Sequence, residues 1–187
     1  MINACSYLDV DSFLNTLKIN INGLSILNFN IRSYFRNFDK FYQLINKNEN
    51  KFDVIILSET WAREGTVKLC CIPYHSYWTT KDENGISIFI NSSLVSDDLS
   101  LHISENVIEC ICVKVKCNND KWVNILGIYK PPSGQLNNLN ERLYSILCNF
   151  TDITTVVAGD LNCCIMDESD NVSWSFVSMM RSYYFRP

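Results

Sequence analysis

The sequence lacks an excess of basic charge and any long apolar run. Its 187 residues include 16 lysines and arginines against 20 aspartates and glutamates, so the net charge at pH 7 is −4. This balance argues against a protein that binds nucleic acid mainly through non-specific charge. No apolar run approaches the ~20 residues of a membrane span, and residues 1–18 lack the basic-then-apolar order of a signal peptide. The sequence therefore predicts an intracellular, non-secreted protein with no membrane partner.

Histidine is scarce, with two residues, whereas cysteine is abundant, with nine. The number of cysteines is odd and their positions are scattered, so without a secretory signal we expect reduced thiols. The segment CICVKVKC offers Cys110, Cys112 and Cys117 as metal ligands. Alternation along a strand places Cys110 and Cys112 on one face and Cys117 on the other, and no Cys/His cluster elsewhere matches them. Core thiols are therefore the expectation.

Length and apolar content indicate one α+β domain. A chain of 187 residues with 47% hydrophobic residues can bury a core of its own. Residues 1–23 are polar and predict a lead-in with a short helix, and residues 24–187 predict the domain. Asn37 is a candidate N-cap, and CNND (117–120) predicts a hairpin turn. Strands are predicted at 24–31, 52–60, 86–94, 107–117, 122–129 and 154–162, and helices at 37–48, 136–150 and 173–184.

Polar side chains lie at the carboxyl ends of four of the predicted strands. LNFN ends with Asn30, IILSET contains Glu59, ILGIY ends with Tyr129, and VVAGDLN contains Asp160 and ends with Asn162. Ligand sites in α/β sheets form at the carboxyl ends of strands, so these side chains are expected to meet. Oxygen donors without Cys or His suit Mg²⁺. Enzymes that hydrolyse phosphoesters use a divalent cation together with an acidic residue that orients a water molecule.

Each of these residues also has an ordinary structural explanation. Asn30 suits a turn at a strand end, and Glu59 suits an N-cap or the first turn of a helix. Tyr129 suits a packing ring with a solvated hydroxyl. Asp160 and Asn162 suit an Asx turn. The functional interpretation therefore depends on their joint order along the chain.

That order resembles the endonuclease/exonuclease/phosphatase superfamily. Within it, the sequence looks most like the apurinic-type endonuclease domain at the N-terminus of non-LTR (LINE-like) retrotransposon proteins. The matching segments, spread over about residues 24–187, are LNFNIRS, FDVIILSETW, ENGISIFI, GIYKPPSG and VVAGDLNC. The resemblance implies a four-layer α/β/β/α sandwich of the DNase I-like type. It also implies a hydrolase that nicks DNA with Mg²⁺ or Mn²⁺ as cofactor.

The resemblance assigns a role to each strand-end residue. Glu59 is the main Mg²⁺ ligand, with Asn30 beside it. Asp160 orients or deprotonates the attacking water, and Asn162 helps to hold that water and the phosphate. Tyr129 donates a hydrogen bond to the scissile phosphate. In retroelements the nick primes reverse transcription, so the resemblance also implies a downstream reverse transcriptase as partner and a nuclear location for an active element.

Two further residues are candidates for contact with the substrate. Trp61 follows Glu59 closely enough to line a substrate groove, although core packing explains most tryptophans equally well. Lys130 begins the stiff turn KPPSG and is a candidate contact to DNA, with a solvated lysine as the equally simple alternative.

The sequence departs from the family pattern in one respect. The family ends with a Ser-Asp-His motif, which this chain lacks, and with strands that follow the GDLN segment. His75 is predicted in a loop and His102 in a polar, strand-like stretch, and neither follows Ser-Asp. We therefore expect a fold that is incomplete at its C-terminus, with impaired hydrolysis and no catalytic histidine. The alternatives are a non-catalytic remnant or binding module of the same fold, and a phosphatase or phosphodiesterase acting on small or lipid phosphates.

Overall fold

A computed structural model describes residues 23–46, 52–62, 74–79, 84–117, 120–133, 136–150, 153–162 and 171–182. The strands are β1 (Ile26–Asn30), β2 (Val54–Ser58), β3 (Tyr74–Trp78), β4 (Ile86–Asn91), β5 (Ser96–Ser104), β6 (Glu109–Lys116), β7 (Trp122–Tyr129) and β8 (Thr155–Asp160). The helices are α1 (Tyr34–Asn46), α2 (Leu136–Leu147) and α3 (Asn171–Ser182), and a 3₁₀ turn spans Cys148–Phe150. The helix predicted near the N-terminus lies outside the described residues. Within the described ranges, no helix has the length and apolar character to cross a membrane.

The strands form two mixed four-stranded sheets. The first has the order β1-β2-β4-β3 and the second the order β5-β6-β7-β8. Each sheet contains one parallel pair, β1 with β2 and β7 with β8, and its other pairs are antiparallel. The parallel pairs end together, with Asn30 beside Ser58 and Tyr129 beside Asp160. The polar ends of neighbouring strands are thus brought level with one another.

The two sheets pack face to face, and helices cover their outer faces. The inner core joins apolar side chains of β2 and β4, such as Ile56 and Ile88, to those of β6 and β7, such as Val113 and Ile125. Helix α1 packs on the outer face of the first sheet, and helices α2 and α3 pack on the outer face of the second. The central strands β2, β4, β6 and β7 therefore bury one face against the other sheet and the other face against a helix. The result is the expected four-layer α/β/β/α sandwich.

Strand β7 matches its predicted bounds, and α1 begins three residues earlier than predicted, at Tyr34. The N-cap assignment of Asn37 is wrong. Its backbone N–H donates to the carbonyl of Ser33 at 3.1 Å, which places it inside the helix. Its side chain donates instead to the carbonyls of Ile31 and Arg32, at 2.9 and 2.7 Å. Asn37 thereby fixes the loop that leads from β1 into the helix.

Strand β3 has no counterpart among the sequence predictions, and β5 was expected only as the polar, strand-like stretch at His102, which is confirmed. Both lie at the edge of a sheet and read YHSYW and SDDLSLHIS, which are polar because an edge strand is only partly covered. In β5 the register also shifts between Asp98 and Leu101, which breaks the alternation of apolar and polar residues. The prediction of a loop at His75 is therefore wrong, because this exposed residue lies in β3.

The thiols of β6 belong to the core, as expected. Cys110 and Cys112 are fully buried on the same face, beneath α2 and α3. Burial raises the pKa of each thiol to about 12, so both are protonated at neutral pH. Protonated, enclosed thiols are poor metal ligands and poor nucleophiles. The hairpin predicted from the segment after β6 is borne out by the antiparallel pairing of β6 with β7, and the N–H of Cys117 donates to the carbonyl of Lys121 at 2.8 Å.

Gly159 joins β8 closely to β7. Its φ of 150° lies in a region that L-residues with a side chain rarely adopt, and an added Cβ would overlap the backbone carbonyl of Ile128. The carbonyl of Gly159 also accepts a hydrogen bond of 2.9 Å from the side chain of Asn28, which belongs to the other sheet. The absence of a side chain at Gly159 therefore allows the close approach of β8 to β7, and the carbonyl of the same residue bonds the other sheet.

We predict that Gly159→Ala destabilises the fold by about 3 kcal/mol or more, because a strained backbone conformation is combined with overlap against an immovable carbonyl. The measurement is the free energy of unfolding from urea titration. The matched control is Gly23→Ala, where an added Cβ would meet no atom within 4 Å. Equal midpoints for the two variants would contradict the prediction.

Candidate functional site

The candidate site lies where the carboxyl ends of β1, β2, β7 and β8 meet, at one end of the space between the sheets. Asn28 of β1 reaches across to the carbonyl of Gly159 in β8, so the two sheets are joined by a hydrogen bond at this place. Side chains two residues apart on a strand share a face. Asn30 therefore points in the same direction as Asn28, toward the end of β8.

The side chain of Asn30 links two carboxylates that belong to different sheets. Its Nδ2 donates to Oε1 of Glu59 at 2.7 Å and to Oδ2 of Asp160 at 2.9 Å. Its Oδ1 accepts from the backbone N–H of Arg32 at 3.1 Å, which fixes the direction of the amide. The structure thus brings together Asn30, Glu59 and Asp160, as the order of strand ends predicts.

Glu59 projects from a strained turn directly after β2. Its φ is 52°, a left-handed value that costs a residue with a side chain about 1 kcal/mol or more. The turn is held from outside, because the carbonyl of Glu59 accepts from the N–H of Ser33 at 2.8 Å. No helix begins within residues 59–62, so within these described residues Glu59 has no N-cap role. Strain of this kind is common at functional sites.

Asp160 and Asn162 form the Asx turn that was the ordinary explanation for them. Oδ1 of Asp160 accepts from the N–H of Asn162 at 3.0 Å, and Asn162 has a φ of 46°. Because the turn occupies Oδ1, it directs Oδ2 toward Asn30. The Asx turn and the candidate site are therefore compatible, and the turn serves to aim the carboxylate.

Tyr129 is the last residue of β7 and lies beside Asp160 in the sheet, with its side chain buried. Burial, followed by the nearby charges of Glu59, Asp160 and Glu109 in that order, raises the pKa of its hydroxyl to about 12. A hydrogen bond with the side chain of Asn162 acts in the opposite direction. The phenol therefore stays neutral at physiological pH and can donate a hydrogen bond there.

Glu109 is a residue of this region that the sequence reasoning missed. It is fully buried, lies opposite Tyr129 in the sheet, and its Oε2 accepts from Oγ1 of Thr79 at 2.7 Å. The same hydroxyl accepts from the N–H of Ile86 at 3.1 Å, which ties it to the first sheet. A single glutamate before the apolar run CICV of the strand ECICVKVK was the only signal of it in the sequence.

Trp61 and Lys130, the two candidate substrate contacts, have different surroundings. The side chain of Trp61 is 38% exposed next to the site. Lys130 is only 3% exposed, and its Nζ donates to the carbonyl of Pro131 at 3.0 Å. The backbone of Lys130 supports the site, since its N–H donates to the carbonyl of Asp160 at 2.9 Å and its carbonyl accepts from Nδ2 of Asn162 at 2.8 Å.

Both histidines belong to strands on the far side of the sheets. His75 is in β3 and His102 is in β5, whereas the candidate site lies at β1 and β8, the opposite edges of the two sheets. Among the described residues, no group of three or more His, Cys, Asp and Glu side chains is arranged to hold a metal ion. The donors at the candidate site are instead two carboxylates and one amide.

This donor set suits a hard divalent cation in its chemistry. Glu59 and Asp160 both approach the same nitrogen of Asn30, so their two negative charges lie close together. Carboxylate and amide oxygens are the ligands that Mg²⁺ and Mn²⁺ prefer, and Mg²⁺ commonly uses one or two carboxylates and keeps several waters. The residue that would hold such an ion is Glu59, with Asp160 beside it. Asn30 would join it through Oδ1 only with its amide turned, because Nδ2 faces the two carboxylates and Oδ1 accepts from the N–H of Arg32.

We predict a coupling of about 1.5 kcal/mol between Asn30 and Asp160 in a double-mutant cycle, because hydrogen bonds to charged groups contribute that much. The variants are Asn30→Ala, Asp160→Ala and the pair, measured by urea unfolding. The control cycle combines Asn28→Ala with Asp160→Ala, because Asn28 bonds the backbone of Gly159 and not the Asp160 side chain. Its two substitutions should add within about 0.5 kcal/mol. Additivity in both cycles would contradict the bridge.

We also predict that Tyr129 does not ionise in the native chain below about pH 12. A phenol whose pKa is raised on folding stabilises the fold fully below its unfolded pKa of about 10, and that contribution is lost as the pH rises toward 12. The measurement is the tyrosinate absorbance of the native chain minus that of Tyr129→Phe. The difference should appear near pH 10 in denaturant and only near pH 12 in the native state. A native difference at pH 10 would contradict the buried, neutral phenol.

Comparison with known proteins finds a likeness only at the level of structure. No protein-family model matches the chain. No curated protein matches it either. Solved structures do match it, and the similarity extends over most of the chain.

Three of these solved structures illustrate the likeness. The endonuclease domain of TRAS1, a telomere-specific non-LTR retrotransposon, superposes with a TM-score of 0.67 at 11% identity, covering 86% of this chain and 72% of that one. An AP endonuclease from Archaeoglobus fulgidus gives 0.63 at 16% identity, covering 86% and 71%. The 3′ phosphatase NExo from Neisseria, bound to a product DNA hairpin, gives 0.59 at 12% identity, covering 86% and 71%. The chain therefore has the α+β, DNase I-like fold of the endonuclease/exonuclease/phosphatase superfamily.

Proposed function

We propose that this chain carries the site of a metal-dependent phosphodiester hydrolase that nicks DNA. The observation that supports it best is the amide of Asn30, which holds the carboxylates of Glu59 and Asp160 at one point where the sheets meet. Tyr129, a neutral hydrogen-bond donor, lies next to Asp160 in the sheet. Phosphodiester hydrolysis needs an oriented water, a cation on the phosphate and donors for the developing charge, and these residues can supply each requirement.

Each residue of the candidate site has a separate role in this proposal. Glu59 and Asn30 would hold Mg²⁺ or Mn²⁺, which would supply positive charge to neutralise the phosphate oxygens. Asp160 accepts the hydrogen bond of the attacking water and orients it for in-line attack. Tyr129 donates a hydrogen bond to a non-bridging oxygen, and its neutral state makes it a donor throughout the physiological range. Asn162, held on the carbonyl of Lys130, contributes its amide near the same phosphate.

DNA is the proposed substrate because of the proteins whose fold the chain shares. They include an AP endonuclease, a retrotransposon endonuclease domain and a phosphatase bound to a DNA hairpin. We extend the proposal to the endonuclease of a non-LTR retroelement, with a reverse transcriptase as partner and the nucleus as the place of action. The sequence resemblance and the TRAS1 superposition support this extension.

A second candidate is a module of the same fold that binds DNA without cleaving it. It is favoured by the location of His75 and His102 on edge strands away from the candidate site. A missing general acid or base costs about 10²–10⁴ in rate. Under the first proposal we therefore expect slow nicking, and under the second we expect binding alone.

We predict that the chain nicks supercoiled plasmid DNA in the presence of Mg²⁺ and stops when the metal is chelated. Asp160→Asn should lower the nicking rate by about 10² or more, because the amide cannot accept a proton from water. The matched control is Asp97→Asn, an exposed aspartate of β5 at the opposite edge of the second sheet, which should nick like the parent.

Each remaining outcome has a definite meaning. Equal rates for Asp160→Asn and the parent would show that the nicking comes from elsewhere. DNA binding without nicking would favour the second candidate. Hydrolysis of lipid or small-molecule phosphates in place of DNA would point to the phosphatase alternative.

A further inference from the structure

Tyr129 lies in a row of side chains that crosses the second sheet. Its partners in the register of the strands are Glu109 of β6 on one side and Asp160 of β8 on the other. Residues opposite each other in a sheet point to the same face, and in an antiparallel pair such as β6 and β7 their Cβ atoms are about 4.5–5.5 Å apart. Ile111 and Val113, which follow Glu109 at intervals of two, belong to the core between the sheets. The phenol therefore stands between two inward-facing carboxyl groups, of which the proposed function uses only Asp160.

Hydrogen bonds join the two sheets on both sides of Tyr129. On the β8 side, Nδ2 of Asn30 donates to Oδ2 of Asp160 at 2.9 Å. On the β6 side, Oγ1 of Thr79, the residue after β3, donates to Oε2 of Glu109 at 2.7 Å. The first of these bonds belongs to the candidate site, and the second has no part in it so far.

The carboxyl group of Glu109 is held in one direction. Glu109 is fully buried and Thr79 is 4% exposed. A hydroxyl has one hydrogen to donate, and that of Thr79 goes to Glu109, while its oxygen accepts from the N–H of Ile86 at 3.1 Å. The backbone N–H of Thr79 also donates to the carbonyl of Ile86 at 2.9 Å. Thr79 is thus fixed to β4 and fixes the carboxyl group beside Tyr129. Burial of a carboxyl group is costly, and an apolar residue at this position would avoid that cost.

The hydroxyl of Tyr129 has its own partner on the opposite side, toward β8. It forms a hydrogen bond with the side chain of Asn162. Asn162 is held in turn, because its Nδ2 donates to the carbonyl of Lys130 at 2.8 Å. The ring therefore has the enclosed carboxyl group of Glu109 on its β6 side and the partner of its hydroxyl on its β8 side.

We propose that Glu109 is a positioning residue for Tyr129. Held by Thr79, its side chain occupies the β6 side of the phenol ring and keeps the hydroxyl on the β8 side, beside Asp160. A hydrogen-bond donor stabilises a transition state only when it is already placed where charge develops, so this restraint determines how well Tyr129 serves the phosphate. Glu109 acts through Tyr129 alone and contacts no substrate. The inference deepens the proposed function and rests on it for the role of Tyr129.

The first test measures plasmid nicking with Mg²⁺ over a range of DNA concentrations. Glu109→Ala should lower kcat about tenfold or more and leave KM nearly unchanged, because it misplaces a bond that is made in the transition state. Tyr129→Phe should lower kcat by a similar factor. In the Tyr129→Phe background, Glu109→Ala should have no further effect on kcat, since the hydroxyl that it positions is gone. A purely structural role of Glu109 would give losses that add.

Three further variants separate positioning from folding. Glu109→Gln keeps the size of the side chain and an oxygen that accepts from Thr79, so it should retain most of the parent's kcat. Thr79→Val removes the donor but keeps its size, and it should lower kcat as Glu109→Ala does. The matched control is Val113→Ala, on the same strand and the same buried face, which removes core volume opposite Ile125 rather than Tyr129. It should leave kcat unchanged.

The second test needs no catalysis. The tyrosine rings of the full chain are labelled with ¹³C, and the NMR resonance of Tyr129 is the one that Tyr129→Phe removes. Glu109→Ala should displace this resonance, because the ring gains space toward β6. Glu109→Gln should displace it far less, and Val113→Ala should leave it in place. If Glu109→Ala does not fold, Thr79→Val replaces it in both tests.

Two results would overturn the inference: additive losses of kcat for Glu109→Ala and Tyr129→Phe, or a Tyr129 resonance that Glu109→Ala leaves in place. Glu109 would then only tie the two sheets together. The inference and the proposed function fail separately. Absence of nicking by the parent, with the resonance displaced in Glu109→Ala, rejects the function and keeps the positioning of the ring. Nicking that depends on Asp160, with additive losses, rejects only the inference.

Discussion

The bond pattern of Asn30 is the interaction on which the rest of the site depends. Two like charges about 5 Å apart repel by roughly 3 kcal/mol at an effective dielectric constant of about 20. Each hydrogen bond to a carboxylate contributes about 1.5–3 kcal/mol, so one amide donating to both Glu59 and Asp160 can offset this repulsion. The two carboxylates can then stay together without a cation. Under the proposed function, this pair would be the place at which a divalent ion binds.

The sheet arrangement explains why these residues can meet at all. Each sheet contains one parallel pair, so in each sheet two neighbouring strands end on the same side. Face-to-face packing then brings the two pairs of strand ends together. The final aim of each side chain comes from backbone that leaves the strand sharply, at Glu59 and Asn162 with positive φ. At Gly159 the absence of a side chain allows β7 and β8 to approach. The strands therefore determine where the site lies, and a few residues with strained backbone determine where its side chains point.

The sequence predicted the features that depend on local pattern. Strand β7 and the polar residues that close β1 and β8 follow from apolar runs that stop at a polar residue, although β8 ends at Asp160 and the predicted strand ran to Asn162. Helix α1 starts early because Asn37 bonds backward to a loop, a contact between residues five and six positions apart that periodicity does not encode. Glu109 was missed because only the packing of two sheets shows that its carboxylate is enclosed near Tyr129.

Exposure is the property that sequence reasoning recovers least well, and it decides how the surface is interpreted. Phe35 reads as one more apolar residue near a helix start, and only the folded chain shows it in solvent. The local distribution of charge is likewise visible only in the folded chain. At physiological ionic strength, charges further apart than about 8 Å are largely screened, so a bound phosphate responds to the cations beside it more than to the net charge of −4. An acidic chain can therefore present cations to an anion locally, as Arg36 and Lys40 do four residues apart on α1. Net charge excludes non-specific coating of DNA, and it leaves a local, oriented contact open.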